Sequence, residues 1–127
     1  MSGERHTIAA GLIVLGALCL ACTACGSSAQ ECTAIATWSF RVRVTDSKTG
    51  ASICDATLIA SDGSKDTTLT SVGGADCLYV GVTEQLGTFR VTATKAGYQT
   101  GMTSIVVDQS DGCHVVTQDG GVTLEPQ

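Results

Sequence analysis

The sequence contains no asparagine and a single proline, Pro126, so its turns fall to glycine, aspartate and serine. Aromatic residues make up only 4%, while Thr, Val, Gly and Ala are abundant, a mix that favours strands and turns over helices. No segment keeps a helical period long enough to place a helix. Basic residues are scarce too: 7 Lys and Arg face 12 Asp and Glu, a net charge of −5. That balance argues against nucleic acid, which requires clustered positive charge, and against electrostatic docking on anionic lipid. There is no Gly-x-Ser-x-Gly elbow and no glycine-rich phosphate loop between a strand and a helix. Beyond the first few residues the only histidine is His114, which reads as a strand residue rather than a general base. Asp108-Gln109-Ser110-Asp111-Gly112 lacks the ligand run and closing glutamate of a calcium loop and reads as a solvated acidic turn. No catalytic residue, metal ligand or cofactor is assigned.

Cysteine, by contrast, is plentiful: seven in 127 residues. Three lie at the end of an uncharged apolar run, Ile8 to Leu20, which follows Glu4 and Arg5. The run has the length of a signal-peptide core and falls short of the roughly 20 apolar residues that span a bilayer. Behind it comes Leu20-Ala21-Cys22-Thr23-Ala24-Cys25-Gly26-Ser27-Ser28. Small residues before a cysteine fit a narrow peptidase pocket, and a thiol is needed to carry diacylglycerol as a thioether. This stretch resembles the bacterial lipobox. Cleavage before Cys25 makes residues 1–24 a lipoprotein signal peptide and residues 25–36 a lipid-anchored tether. Cys22 competes for the lipid, and for either cysteine position −3 is itself a cysteine, Cys22 or Cys19. An uncleaved anchor built on residues 7–30 is the alternative; the Gly-Ser-Ser exit favours cleavage. The Cys-x-x-Cys spacings here have no second pair to complete a zinc site.

Residues 37–127 read as one domain of short strands separated by Gly/Asp turns. In Thr37 to Thr45, Trp38, Phe40, Val42 and Val44 alternate with Ser39, Arg41 and Arg43, which predicts one buried and one wet face. The wet face with Arg41 and Arg43 is either a small ligand surface or an ordinary solvated sheet. Further strands are expected at Ala56–Ser61, Thr67–Thr70, Cys77–Val82, Gly87–Thr94, Thr103–Val107, His114–Thr117 and Val122–Leu124, with Asp119-Gly120-Gly121 as a turn. The expected fold is all-β, a small sandwich or barrel.

Two segments carry a family resemblance. Val44-Thr45-Asp46 with Thr49-Gly50-Ala51-Ser52-Ile53-Cys54-Asp55-Ala56 is one, and Gly87-Thr88-Phe89-Arg90-Val91-Thr92-Ala93 with Ala96-Gly97-Tyr98 is the other. Together they resemble carboxypeptidase regulatory-like domains, with Ser52 in place of the family's proline and Asp55 in place of its glycine. The resemblance implies a transthyretin-like (prealbumin-like) Greek-key sandwich of about seven strands, non-catalytic, in which Gly50, Ala56, Gly87, Phe89, Gly97 and Tyr98 do structural work. Gly97 is expected to make a tight turn and Tyr98 to pack its ring at the sandwich end.

Four cysteines remain in the domain: Cys32, Cys54, Cys77 and Cys113. An even number in an exported chain reads as two disulfides. Three pairings are possible; Cys54–Cys77 with Cys32–Cys113 is favoured, tying the second strand to the fourth and clipping the tether to the last hairpin. A metal site at Cys113 and His114 is disfavoured, because neighbours in a strand point to opposite faces. The resulting expectation is a non-catalytic accessory module at the cell envelope, held to a membrane by its N-terminal lipid and binding a protein or glycan partner; the alternatives are a structural subunit of an envelope complex and, last in order, a small secreted or periplasmic enzyme.

Overall fold

The computed structural model describes residues 31–127; the expected leader and both lipid-acceptor candidates, Cys22 and Cys25, lie outside the described residues. The described chain is all-β. Its strands are β1 Phe40–Asp46, β2 Thr57–Ser61, β3 Asp66–Ser71, β4 Tyr79–Val80, β5 Gly87–Thr94, β6 Gly101–Val107 and β7 Gln118–Leu124. Their hydrogen-bonded order is β6-β5-β2-β3-β4-β1-β7. All pairings are antiparallel except β1 with β7, which run parallel from Phe40↔Gln118 to Asp46↔Leu124. The two-residue β4 turns the sheet over on itself, so that β6-β5-β2-β3 faces β4-β1-β7 as a small sandwich.

The core follows from strand alternation. Phe40, Val42 and Val44 of β1 point inward with Leu58 and Ala60 of β2, Phe89, Val91 and Ala93 of β5, Ile105 and Val107 of β6, and Val122 and Leu124 of β7. Phe40 and Phe89 meet across the layers with ring centroids 5.0 Å apart and planes tilted by 46°. Burial of each Val, Leu, Ile or Phe among them contributes roughly 1.5–3 kcal/mol. Tyr79 is also fully enclosed; its hydroxyl donates to the Ile53 carbonyl (2.9 Å) and accepts from the Ala56 amide (3.1 Å). Burial pushes this phenol above its ordinary pKa.

Three expectations are corrected. First, Asp119-Gly120-Gly121 is not a turn but the middle of β7, while His114–Thr117 is a turn and an isolated bridge rather than a strand. The glycines are there because the layers close tightly: a Cβ on Gly120 would lie 2.5 Å from Ile105 Cδ1. Gly101 lets β6 begin two residues earlier than its apolar pattern indicates, since a Cβ there would meet Leu124 and Val122 at 2.7 Å. Second, the inward phase of β1 starts at Phe40. Trp38 is 40% exposed, whereas Ser39 is buried, its hydroxyl accepting from the Gln85 amide at 2.8 Å. Third, the strand expected over Cys77–Val82 shrinks to Tyr79–Val80, because Cys77 takes a positive φ of 46°.

Candidate functional site

Each end of the sandwich carries a carboxylate that gathers hydrogen bonds and a disulfide beside it. At the end where β1 finishes, the chain reverses through Asp46-Ser47-Lys48-Thr49-Gly50. Asp46 Oδ1 accepts from the amides of Lys48 (2.7 Å) and Thr49 (3.0 Å), while Gly50, at φ 71°, donates its amide to the Asp46 carbonyl (2.8 Å). The other carboxylate oxygen accepts from the Tyr98 hydroxyl at 2.7 Å. The phenol is the main reason the Asp46 carboxyl sits below its usual range, with the Thr49 and Lys48 amides adding to it. The same bond pushes the Tyr98 phenol up. Tyr98 is presented by the turn at Gly97 (φ 83°) and bridged to Pro126; Gln99 and Gln127 donate to the carbonyls of Glu125 and Gly97. Nearby, Lys95 pairs with Asp55, and Cys54 is bonded to Cys77 with Cα atoms 5.1 Å apart. Here Gly50, Ala56, Gly97 and Tyr98 lie together, whereas Gly87 opens β5 and Phe89 sits in the core.

At the opposite end the organising carboxylate is Glu84, held at φ 53°, in the left-handed region that a non-glycine residue occupies only when its surroundings fix it. Glu84 Oε1 accepts from the Thr37 amide (2.7 Å) and contacts His114 Nδ1 (2.5 Å); Oε2 accepts from the Val115 amide (3.1 Å). These contacts, the Thr37 amide foremost, hold the Glu84 carboxyl below its usual range. The ionised carboxylate accepts only, which places a proton on Nδ1 of His114; in the neutral ring Nε2 then accepts from the Thr33 hydroxyl, 3.0 Å away. Asp111 fixes His114 from below: its Oδ1 accepts the amides of His114 (2.7 Å) and Cys113 (2.9 Å), which lowers its own pKa. Cys32 is bonded to Cys113, Cα to Cα 5.2 Å, so the segment that leads into β1 is stitched to this end. An open cavity of about 400 Å³ lies here, bounded by Ile35, Leu86, Ser110, Glu84 and His114.

The expected wet face of β1 forms a third feature, a groove of about 640 Å³ floored by Gly120 and Gly121. Arg41 grips Asp119 through Nε (2.8 Å) and Nη2 (3.0 Å), and Arg43 pairs with Asp76 (2.8 Å). Both guanidinium groups are therefore already engaged, as on an ordinary solvated sheet.

Thr33, His114 and Glu84 are connected as a hydroxyl, a base and a carboxylate, the order of an acyl-transfer relay. Sequence reasoning missed this, and nothing local could have found it: Glu84 lies 30 residues from His114 and His114 lies 81 from Thr33. An acyl-transfer site also needs amides free to hold an oxyanion. The amides of Thr37, Cys113, His114 and Val115 that line this one are each committed to a carboxylate. The four domain cysteines come together in the favoured pairing.

No family model matches the chain, and no curated protein matches it. Among solved structures, it is similar to a double mutant of the shaft pilin SpaA from Lactobacillus rhamnosus GG, at 14% identity and a TM-score of 0.40, over 69% of this chain and 46% of that one. The chain thus spans less than half the length of that pilin.

Proposed function

We propose that the chain is an exported, non-catalytic structural module of the cell envelope: residues 1–24 are removed, Cys25 carries the lipid, residues 25–36 form the tether and residues 37–127 form a sandwich of the carboxypeptidase regulatory-like kind. The observation that carries this reading is the Cys32–Cys113 bond. A tether that merely let a binding domain roam would gain nothing from being welded to the sandwich. One pinned at Cys32 shortens the free tether to the seven residues after Cys25 and keeps the Cys113 end nearest to whatever holds the N-terminus, as suits a subunit of an assembly. Two disulfides agree with an oxidising, extracytoplasmic setting. The family assignment is supported by the Asp46–Tyr98 hydrogen bond, which joins one resembling segment to the other.

The test is membrane fractionation of the full-length protein and of Cys25→Ser, followed by mild cross-linking and detergent pull-down. The reading expects membrane retention that Cys25→Ser abolishes, together with one partner in fixed stoichiometry. Substoichiometric, exchangeable capture of a protein or glycan supports the accessory-module alternative instead. Retention of Cys25→Ser with lipid on Cys22 moves the anchor; no lipid on either cysteine ends the reading.

A second reading rests on the Thr33–His114–Glu84 connection, which resembles the machinery of an esterase. Incubation with p-nitrophenyl acetate decides it: release of nitrophenol that Thr33→Ala abolishes would make the domain an enzyme, and hydrolysis equal in Thr33→Ala removes the possibility.

A further inference from the structure

Among the described residues, the large apolar side chains left exposed are unevenly placed. Ile59, Met102 and Val106 lie along strand faces, and Val72 is in the loop after β3. Four others share the Glu84–His114 end: Ile35 is 77% exposed, Leu86 55%, Val116 41% and Trp38 40%. Ile35 and Leu86 bound the same cavity, and the backbone of Trp38 is fixed at this end by its bridge to Thr83 and by the Thr117 hydroxyl donating to its carbonyl (2.7 Å). Glu84 is turned onto His114, and Asp111 onto the Cys113 and His114 amides.

We infer that this apolar rim rests on the bilayer surface itself. The inference deepens the proposal that Cys25 carries the lipid. Cys32 follows Cys25 by seven residues, which reach about 25 Å at full extension. The tether ends at Cys113, on the rim's own end of the sandwich, so the lipid holds this end against the membrane and turns the Tyr98 end away. An amphipathic indole flanked by aliphatic side chains suits the boundary between headgroups and acyl chains. The contact is apolar rather than electrostatic, since the chain carries a net charge of −5, and an uncharged phosphatidylcholine surface is enough to receive it.

Trp38 is the only tryptophan in the chain, so its emission reports the contact without a label. The full-length protein, processed in its host and extracted from membranes, is reconstituted into phosphatidylcholine vesicles with and without brominated acyl chains. Flotation reads the anchor; quenching reads the docking. The expected result is a protein that floats and loses Trp38 emission on brominated but not on unbrominated lipid, as suits an indole at the headgroup level, whereas Ile35→Ser/Leu86→Ser floats equally and is not quenched. A floating wild type with unquenched emission overturns the docking and leaves the anchor standing. So does emission that shifts to the blue with protein density but ignores bromine, because then a second copy covers the rim. Quenching retained in the double variant also overturns it. Protein that does not float overturns the anchor, and the docking with it.

Discussion

At one end of the sandwich a carboxylate is fastened by a phenol, at the other by an imidazole, and the surroundings of the two differ accordingly. Asp46 is nearly buried, and its partners belong to the turn after β1 and to the loop between β5 and β6, which the C-terminal arm ties down in turn. Glu84 is more open, and what it gathers is the tether side of the molecule: the Thr37 amide, and through His114 the hydroxyl of Thr33. Each end has its disulfide. Cys54–Cys77 joins two segments that lead into core strands, whereas Cys32–Cys113 joins an exposed arm to an exposed turn. Similar parts thus close the fold at one end and, on the proposed function, hold the attachment arm at the other.

The disulfides test that contrast most forcefully. Removing Cys54–Cys77 with paired serines is expected to cost about 3 kcal/mol of unfolding free energy in urea, as closure of a loop of that size predicts. Loop length alone would make the Cys32–Cys113 bond worth more, about 4.5 kcal/mol for a separation of 81 residues. The expected loss is only about 1 kcal/mol, because residues 31–36 regain freedom in the folded state once cut loose. A larger loss from the second pair would break the comparison. Next in size, Gly101→Val forces a side chain into Val122 and Leu124 and should destabilise by about 2 kcal/mol, while Leu86→Ser at the other end should stay within about 0.5 kcal/mol.

Acid sharpens the contrast further. The carboxyls of Asp46 and Glu84 both lie below their ordinary values in the folded protein, so the unfolded chain binds protons first as the pH falls. Their stabilisation is present at neutral pH and is lost below about pH 4. Asp46→Asn should lower the melting temperature at neutral pH and flatten the acid limb of global unfolding. Glu84→Gln should lower the neutral melting temperature less than Asp46→Asn does and loosen residues 33–37, whose start Cys32 still holds at Cys113, read as faster proteolysis within that stretch. The smallest effect belongs to Tyr98→Phe, which keeps the Asp46 turn but removes the main cause of its lowered pKa; the acid midpoint should move to slightly higher pH.

The strands were legible where alternation was uninterrupted, as in Phe40 to Val44 and Phe89 to Ala93, because burial on one face writes itself into every second residue. β7 was hidden because Gly120 and Gly121 give up side chains to let the layers touch, and glycine in a row with aspartate has the composition of a turn. Trp38 and Ser39 exchanged their expected environments for a related reason: a serine whose hydroxyl has an amide to accept can be buried, and the sequence does not announce that amide. The cysteine pairing could be favoured from the order of strands. Asp46 stood in plain view inside a resembling segment, yet its bond to Tyr98 spans 52 residues and became visible only in the fold. Glu84 had no local signal at all, since a left-handed glutamate is a consequence of tertiary contacts and not of its neighbours in sequence.

The division between a folding end and an attachment end is tested most directly by native-state hydrogen exchange on the disulfide-bonded protein. The amides of Gly50, Gln99 and Gln127, bonded around the Asp46–Tyr98 pair, should exchange only through global unfolding, while those of Thr37, Glu84 and Val115 should open at distinctly lower free energy. Equal protection at the two ends, or the reverse order, would contradict the account.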